Sequence, residues 1–206
     1  MDSFFDTCII IRYASYSPIV KNPLNYKCFE YIKNKKGKNM LCYYVLDELK
    51  NNIRKRALIQ NEVLKKLVKS NYFINDFGIL SKQDIAYANK LFESNKGKNP
   101  EKVSKIFFEE RSNFQRKIDV FIKLLLDERV ILINQIDPGI VSVLKSFIEK
   151  HSDCLVLASA IQEQQNRETF FFVTCDDHFS PNNYEFIKED PKLEKCKFPE
   201  LKNLLY

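Results

Sequence analysis

Acidic side chains end two apolar stretches at opposite ends of the chain. Asp6 follows the apolar residues of SFFDTCIII, and Asp176 and Asp177 follow those of FFFVTCDDHF. A strand that ends at a carboxylate places that group at the carboxyl edge of a parallel sheet, where ligands bind. Converging carboxylates repel one another unless a cation compensates, and hard divalent ions prefer oxygen ligands. The two segments therefore predict a site for Mg²⁺ or Mn²⁺.

Two further acids lie within helical patterns. Glu48 belongs to the apolar stripe of YYVLDELKNN, whereas its neighbour Asp47 is about 100° around the helix and is expected to face water. Asp47 is the alternative if Glu48 proves to face away. Asp153 is in the first turn of the apolar segment SDCLVLASAI, where a negative charge also favours the helix dipole without any metal.

Capping residues and prolines predict where the helices begin. Helices are expected to start at the pairs Asn22-Pro23, Asn99-Pro100 and Asp137-Pro138, because Asn and Asp are good N-caps and Pro is favoured at the first helical position. Ser81 with Asp84 forms a capping box, and Ser152 is expected to cap the helix that contains Asp153. The predicted ends of these helices are near Gly37, Glu93, Leu125 and Lys150, and a further helix is expected over residues 43–56.

Short apolar runs between these helices predict strands. The clearest runs are RVILIN at 129–134 and TFFFVTC at 169–175, and YEFIK at 184–188 is interpreted as an edge strand. Strands that alternate with helices indicate an α/β fold with a parallel sheet. We expect a single domain over residues 1–206, in which residues 58–128 form a largely helical insertion.

Basic residues outnumber acidic ones and lie in clusters. The chain has 33 Lys and Arg against 27 Asp and Glu, a formal net charge of +6. This balance is compatible with a polyanionic partner, although such clusters also occur on ordinary solvated helix faces. The residues expected to contact such a partner are Lys35, Lys36, Lys38, Arg54, Lys55 and Arg56.

The six cysteines and the lengths of the apolar runs restrict the class of protein. No CxxC pair occurs, so a zinc ribbon or a dithiol redox motif is not expected. The acidic start MDSFFD lacks the basic region of a secretory signal, and the apolar runs are far shorter than the ~18 residues that span a bilayer. We expect free thiols, a cytoplasmic location and no membrane partner.

Four segments resemble, in order, the signature segments of the PIN-domain nucleases: FFDTCI, VLDEL, SDCLVLASA and FFVTCDDHF. In that family the first strand ends in Asp followed by Thr or Ser, a helical acid precedes Leu, an Asp opens a helix of small residues, and the last segment reads apolar-Thr-x-Asp-x-x-Phe. The resemblance covers residues 1–57 and 129–190. Many members have Asn where this chain has Cys8, and a thiol cannot replace all the hydrogen bonds of an amide.

The resemblance implies a three-layer α/β/α PIN-like fold with a central parallel sheet, and a metal-dependent endoribonuclease that uses Mg²⁺ or Mn²⁺. It assigns RNA as the substrate and is compatible with an antitoxin or other protein regulator and with a homodimer. Residue by residue, it implies Asp6, Glu48, Asp153 and Asp176 as catalytic metal ligands, Asp177 as an additional ligand, and Thr7 and Thr174 as supporting hydroxyls.

Three alternatives remain at this point. A weakly active RNA-binding scaffold of the same fold would not need the full set of acids, and a toxin of a toxin–antitoxin pair would share the chemistry. A phosphatase of the haloacid-dehalogenase type would use Asp6 as nucleophile, but its second Asp is replaced here by Cys8. His178 is either a general acid beside the aspartates or a loop histidine.

Overall fold

The computed structural model describes residues 1–19, 22–69, 71–74, 78–132 and 135–206. The chain divides into two compact units, one formed by residues 1–49 and 117–206 and the other by residues 50–116. Within the described ranges, every helix is too short or too polar to span a lipid bilayer.

The first unit contains an all-parallel sheet of five strands in the order β3-β2-β1-β4-β5. Because a strand buried on both faces needs a continuous apolar run, the central positions fall to the Phe-rich segments, and Phe4, Phe5 and Phe172 are fully buried. The strands are β1 (Ser3–Phe5), β2 (Asn39–Cys42), β3 (Glu128–Val130), β4 (Phe171–Thr174) and β5 (Glu200–Asn203).

Helices connect the strands, as the alternating pattern predicts. In the first unit α1 packs on α2 and β4, α7 packs on α6 and β2, and α8 packs on β5. This arrangement confirms the α/β class with a parallel sheet and is consistent with three α/β/α layers. The helices are α1 (Thr7–Ser15), α2 (Pro23–Asn34), α3 (Tyr43–Val68), α4 (Lys82–Asn95), α5 (Pro100–Val120), α6 (Pro138–Leu144), α7 (His151–Gln164) and α8 (Pro181–Lys188).

Most of the predicted helix starts are confirmed by the capping contacts. Asn22 accepts a hydrogen bond from the Asn25 N–H, Asp137 accepts one from the Gly139 N–H, and Ser81 with Asp84 forms the complete capping box. The Ser152 cap is wrong, because Lys150 is the N-cap of α7 and Ser152 lies in its first turn. The helix expected to reach Lys150 is α6, which ends earlier at Leu144.

Two strand predictions need correction. The YEFIK segment is helical, because Ser180 caps α8 through the Asn183 N–H and Pro181 occupies a first-turn position. The edge strand is β5 instead, and its weakly apolar sequence ELKN gave no strand signal. The RVILIN strand ends at Val130, because Ile131 has φ 50°, a conformation in which a β-branched residue cannot continue a strand. Residues 133 and 134 of that prediction lie outside the described residues.

The second unit has its own apolar core. Helices α3, α4 and α5 supply it, with α5 followed by a π-helical turn, Phe121–Leu125, that belongs to the first unit. The segment from residue 58 to residue 128 is therefore largely helical, as the sequence predicts. The buried residues of this core are Ile59, Val63, Leu80, Ala88, Phe92, Val103 and Phe107.

Gly37 occupies a position beside the chain start that excludes a side chain. Its φ of 85° is in the left-handed region, and an added Cβ would lie 2.5 Å from the carbonyl oxygen of Met1. The adjacent Lys38 N–H donates to the Asp2 carboxylate, and the Lys38 carbonyl accepts from the Ser3 N–H. Gly37 thus allows the close approach that aligns β1 with β2.

We expect Gly37→Ala to lower the free energy of unfolding by more than about 2 kcal/mol, because it adds a backbone clash to the left-handed penalty. Gly97→Ala is the matched control, since Gly97 has φ 80° but nothing within 4 Å of an added Cβ. In the control the free energy of unfolding should fall by only about 1 kcal/mol. Urea denaturation followed by circular dichroism measures both, and equal losses would show that the contact with Met1 is unimportant.

Candidate metal centre

The parallel pairing of β1 with β4 brings the two chain ends together. Phe5 is in register with Val173, so Asp6 and Asp176 both follow neighbouring strands at the same carboxyl edge. Asp6 is the N-cap residue of α1, but its carboxylate makes no capping hydrogen bond. The side chain is therefore available for contacts across the sheet edge.

Thr174 links these two acids. Its hydroxyl donates to Asp6 Oδ2 at 2.7 Å and accepts from the Asp176 N–H at 3.1 Å. The Cys8 thiol also donates to Asp6 Oδ2, at 3.0 Å, and its sulfur accepts from the Cys175 N–H at 3.1 Å. Cys8 thus supplies one hydrogen bond to the carboxylate at the position where the resembling family often has Asn.

Glu48 faces the same group, whereas Asp47 is exposed. The Thr7 hydroxyl donates to Glu48 Oε2, so each supporting threonine bonds one acid of the set. Burial raises the pKa of Glu48, the Thr7 hydrogen bond opposes that shift, and the charges of Asp6 and Asp153 add to it. The charges of Asp6 and Asp153 therefore act on the Glu48 carboxylate.

Asp153, Asp176 and His178 form a group able to hold a metal ion, with one ligand atom from each residue and all three atoms within 4.8 Å of one another. His178 Nδ1 lies 2.7 Å from Asp176 Oδ1 and 3.6 Å from Asp153 Oδ2. Among the described residues, His178 Nδ1 and Asp153 Oδ2 are buried atoms without a hydrogen-bond partner. Buried polar atoms normally have a partner, so these two atoms are suited to bind a cation.

The electrostatics of the acids follow from burial and mutual repulsion. Burial raises the pKa of Asp6 to about 6, against the hydrogen bonds from Cys8 and Thr174 and with the help of the Asp153 and Asp176 charges. Burial likewise raises the pKa of Asp153. Burial also acts to raise the pKa of Asp176, but the His178 N–H, the Asp177 side chain and nearby positive charges outweigh it and lower that pKa. A bound cation would relieve the repulsion.

The remaining predicted residues are Asp177, which is exposed beside this group, and two basic clusters. The Asp177 side chain is 77% exposed, and its Oδ1 is 4.0 Å from His178 Nδ1. Lys35, Lys36 and Lys38 lie in the loop before β2, which is the amino edge of the sheet and thus opposite the acids. Lys35 donates to the carbonyls of Gly37 and Lys38, and Lys38 pairs with Glu128.

The second basic cluster belongs to the other unit. Arg54 is exposed, Lys55 pairs with Asp84 at 3.1 Å, and the Arg56 guanidinium lies 3.8 Å from the centre of the Phe114 ring. Burial lowers the pKa of Arg56. Lys55 and Arg56 therefore have structural contacts inside their own unit, and their contact with RNA stays a prediction.

Sequence reasoning missed two residues of the site. Lys150 Nζ lies 3.7 Å from Asp153 Oδ2, and a charge three residues before a helical acid is the signal that identifies it. The sequence motifs indicate only a general acid or a loop residue at His178, although its spacing of two from Asp176 predicts that one tight turn presents both side chains.

No family model, curated protein or solved structure matches this chain. The geometry of the site and the motif resemblance are therefore the indications of its function.

We expect Asp6→Asn to stabilise the metal-free protein at neutral pH. The folded pKa of about 6 lies above the ordinary value of 3.8, so raising the pH through this range ionises the unfolded chain first and destabilises the fold. Asn keeps an acceptor oxygen for Thr174 and does not ionise. The free energy of unfolding of the variant should exceed that of wild type by about 1–3 kcal/mol at pH 7 and by less than about 1 kcal/mol at pH 4.

Thermal unfolding in EDTA from pH 4 to 7 measures this difference. Asp47→Asn is the matched control, because Asp47 is exposed. If the difference in stability between Asp6→Asn and wild type does not change with pH, the surroundings of Asp6 do not destabilise its ionised form.

Proposed function

We propose that this protein is a metal-dependent endoribonuclease of the PIN type, which hydrolyses RNA phosphodiesters with Mg²⁺ or Mn²⁺. The observation that carries the proposal is the convergence of Asp6, Glu48, Asp153 and Asp176 at one carboxyl sheet edge, with Thr7 and Thr174 each bonding an acid. These acids come from four distant segments, and those are the four segments that resemble the signature segments of the PIN-domain nucleases. The convergence therefore supports the resemblance more strongly than any single motif.

The donor set suits hydrolysis at a phosphate. A divalent ion held there lowers the pKa of bound water and neutralises charge on the phosphate. Asp153 and Asp176 would hold the ion, with Asp6 and Glu48 completing the negative surroundings. Thr174 and Cys8 fix the orientation of the Asp6 carboxylate, and Thr7 fixes that of Glu48.

Cys8 also bears on the phosphatase alternative. That mechanism requires a second carboxylate two residues after the nucleophile, and this chain has a thiol there. Burial raises the pKa of Cys8 well above its ordinary value, so the thiol stays protonated and donates to Asp6. A protonated donor to Asp6 favours the use of this carboxylate as a ligand and gives no group to act as general acid–base in its place.

A basic side chain at the acid cluster favours a polyanionic substrate. Lys150 is 60% exposed and lies at the start of α7, beside Asp153. Its ammonium group would contact a phosphate that approaches the acids. Phosphate contacts of this kind supply affinity that is independent of sequence and falls with salt.

We expect the purified protein to cleave RNA in the presence of Mg²⁺ or Mn²⁺ and to lose this activity in EDTA. Glu48→Gln should lower kcat by about 100-fold or more, because an uncharged amide no longer balances the charge of the cation. Asp47→Asn is the matched control on the same helix turn and should cleave at nearly the wild-type rate.

Initial rates on a labelled RNA panel, with folding checked by circular dichroism, measure this effect. If wild type binds RNA but shows no metal-dependent cleavage, the non-catalytic scaffold is the better interpretation. If Glu48→Gln cleaves at the wild-type rate, the catalytic site lies elsewhere.

Substitution of one lysine at each edge of the sheet tests along which edge RNA binds. We expect Lys150→Ala to raise KM several-fold at low salt and to reduce the salt dependence of binding, because one phosphate contact is lost. Lys36→Ala is the matched control, since Lys36 is exposed at the opposite sheet edge. A larger effect at Lys36 than at Lys150 would instead place the RNA along the amino edge, as the sequence clusters predict.

A further inference from the structure

His178 adds a nitrogen donor to a site that the motifs describe as all-oxygen. We infer that His178 Nδ1 is a metal ligand and that it makes the site select Mn²⁺, or another transition-metal ion, over Mg²⁺. This inference rests on the metal site of the proposed function, but it concerns which ion is bound.

The separations between the donor atoms match those of ligands that share one ion. Metal–ligand distances of about 2.1 Å place neighbouring ligand atoms about 3.0 Å apart at right angles and about 3.6 Å apart at 120°. The corresponding distances from His178 Nδ1 are 2.7 Å to Asp176 Oδ1 and 3.6 Å to Asp153 Oδ2. An ion can therefore be accommodated with little movement of the side chains.

The local backbone holds two of these donors in place. Asp176 is the N-cap of the 3₁₀ turn Asp177–Phe179, and its Oδ1 accepts the His178 N–H at 3.0 Å. The turn is held to the sheet by Asn203 on β5, whose amide donates to the carbonyls of Asp176 and Phe179 at 2.8 Å. Phe179 itself is fully buried against Phe172. Such a supported turn leaves the Asp176 and His178 side chains few alternative positions.

The unsatisfied atoms favour a ligand role over a simple ion pair. Nδ1 is close to two carboxylates, yet it is a buried atom with no hydrogen-bond partner among the described residues, and the same holds for Asp153 Oδ2. A histidine that served only as a counter-ion would donate a hydrogen bond to one of the carboxylates. Donor atoms at these separations that form no hydrogen bond with one another are suited to share one cation.

The chemistry of the donors then decides the ion. Carboxylate and water oxygens suit Mg²⁺ and Mn²⁺, whereas an imidazole nitrogen suits transition-metal ions such as Fe²⁺, Ni²⁺ and Zn²⁺. Mg²⁺ is also reluctant to give up water, so a site that supplies a nitrogen and several carboxylates gains more from a transition-metal ion. Mn²⁺ is the representative used in the test, because it also accepts the oxygen ligands of this site.

The test compares Mn²⁺ and Mg²⁺ binding in three proteins stripped of metal with EDTA: wild type, His178→Asn and His151→Asn. His151 is the other histidine of the chain and lies exposed in the first turn of α7, so it is the matched control. Calorimetric titration at about pH 8, where an ordinary histidine is neutral, gives each Kd. Thermal unfolding with each ion gives a second readout that needs no activity.

We expect wild type and His151→Asn to bind Mn²⁺ on the order of tenfold or more tighter than Mg²⁺. In His178→Asn the Mn²⁺ affinity should fall by about tenfold or more while the Mg²⁺ affinity changes little. Pulsed EPR of the Mn²⁺ proteins should detect a coordinated imidazole nitrogen in wild type and His151→Asn and should lose that signal in His178→Asn.

The outcomes separate this inference from the proposed function. Unchanged Mn²⁺ affinity and an unchanged nitrogen signal in His178→Asn would overturn the ligand role, even if metal-dependent cleavage is found. A His178→Asn protein that loses both ions equally and shows an altered fold would assign His178 a structural role instead. Wild type that binds neither ion would overturn the inference, whereas a wild type that binds Mn²⁺ selectively and cleaves no RNA would overturn only the nuclease.

Discussion

The hydrogen bond from the Thr174 hydroxyl to the Asp6 carboxylate joins residues that are 168 positions apart in the chain, and the acid site depends on it. It forms because β1 and β4 pair in parallel, with Phe5 opposite Val173, so that the residues after both strands meet at one edge. The same hydroxyl accepts the Asp176 N–H and thereby sets the start of the turn that carries Asp176 and His178. A shift of one residue in this register would turn the carboxylates to opposite faces of the sheet.

The site is assembled at a cost in stability. Several carboxylates share a partly buried volume, and burial with mutual repulsion raises the pKa values of Asp6, Glu48 and Asp153. The Phe-rich strands offset this cost, because Phe4, Phe5 and Phe172 are fully buried and each contributes about 1.5–3 kcal/mol. A cation bound to this group would stabilise the fold, since a ligand that binds only the folded state shifts the folding equilibrium.

Hydroxyl and thiol groups orient the carboxylates of the site through hydrogen bonds. Thr7 and Thr174 each bond one carboxylate, and Cys8 adds a third donor on the Asp6 side of the group. Groups of this kind orient ligands and are needed for tight metal binding. Cys8 therefore supplies a second donor to the Asp6 carboxylate, beside Thr174.

The sequence by itself determined the α/β class, the helix starts at Asn22, Ser81 and Asp137, and the acids that end β1 and β4, because alternation, capping and strand-end charges are local patterns. It also separated Glu48 from Asp47, since helical phase alone decides which of two neighbours faces the apolar side. Local patterns did not predict the correct secondary structure where helix and strand have similar local energies. The YEFIK segment has strand-like residues, yet the Ser180-Pro181 start makes it helical, and ELKN becomes β5 only because β4 offers it an open edge.

The tertiary structure alone decided which side chains share the site. The strand order makes β1 the neighbour of β4, and no local signal specifies a pairing between the two ends of a chain. The same order puts Lys36 at the edge opposite the acids and Lys150 beside Asp153, although the first belongs to the denser cluster in the sequence. His178 joins the donors because a supported turn orients it, and the direction of a side chain after a turn depends on contacts such as those of Asn203 and Phe179, which come from elsewhere in the fold.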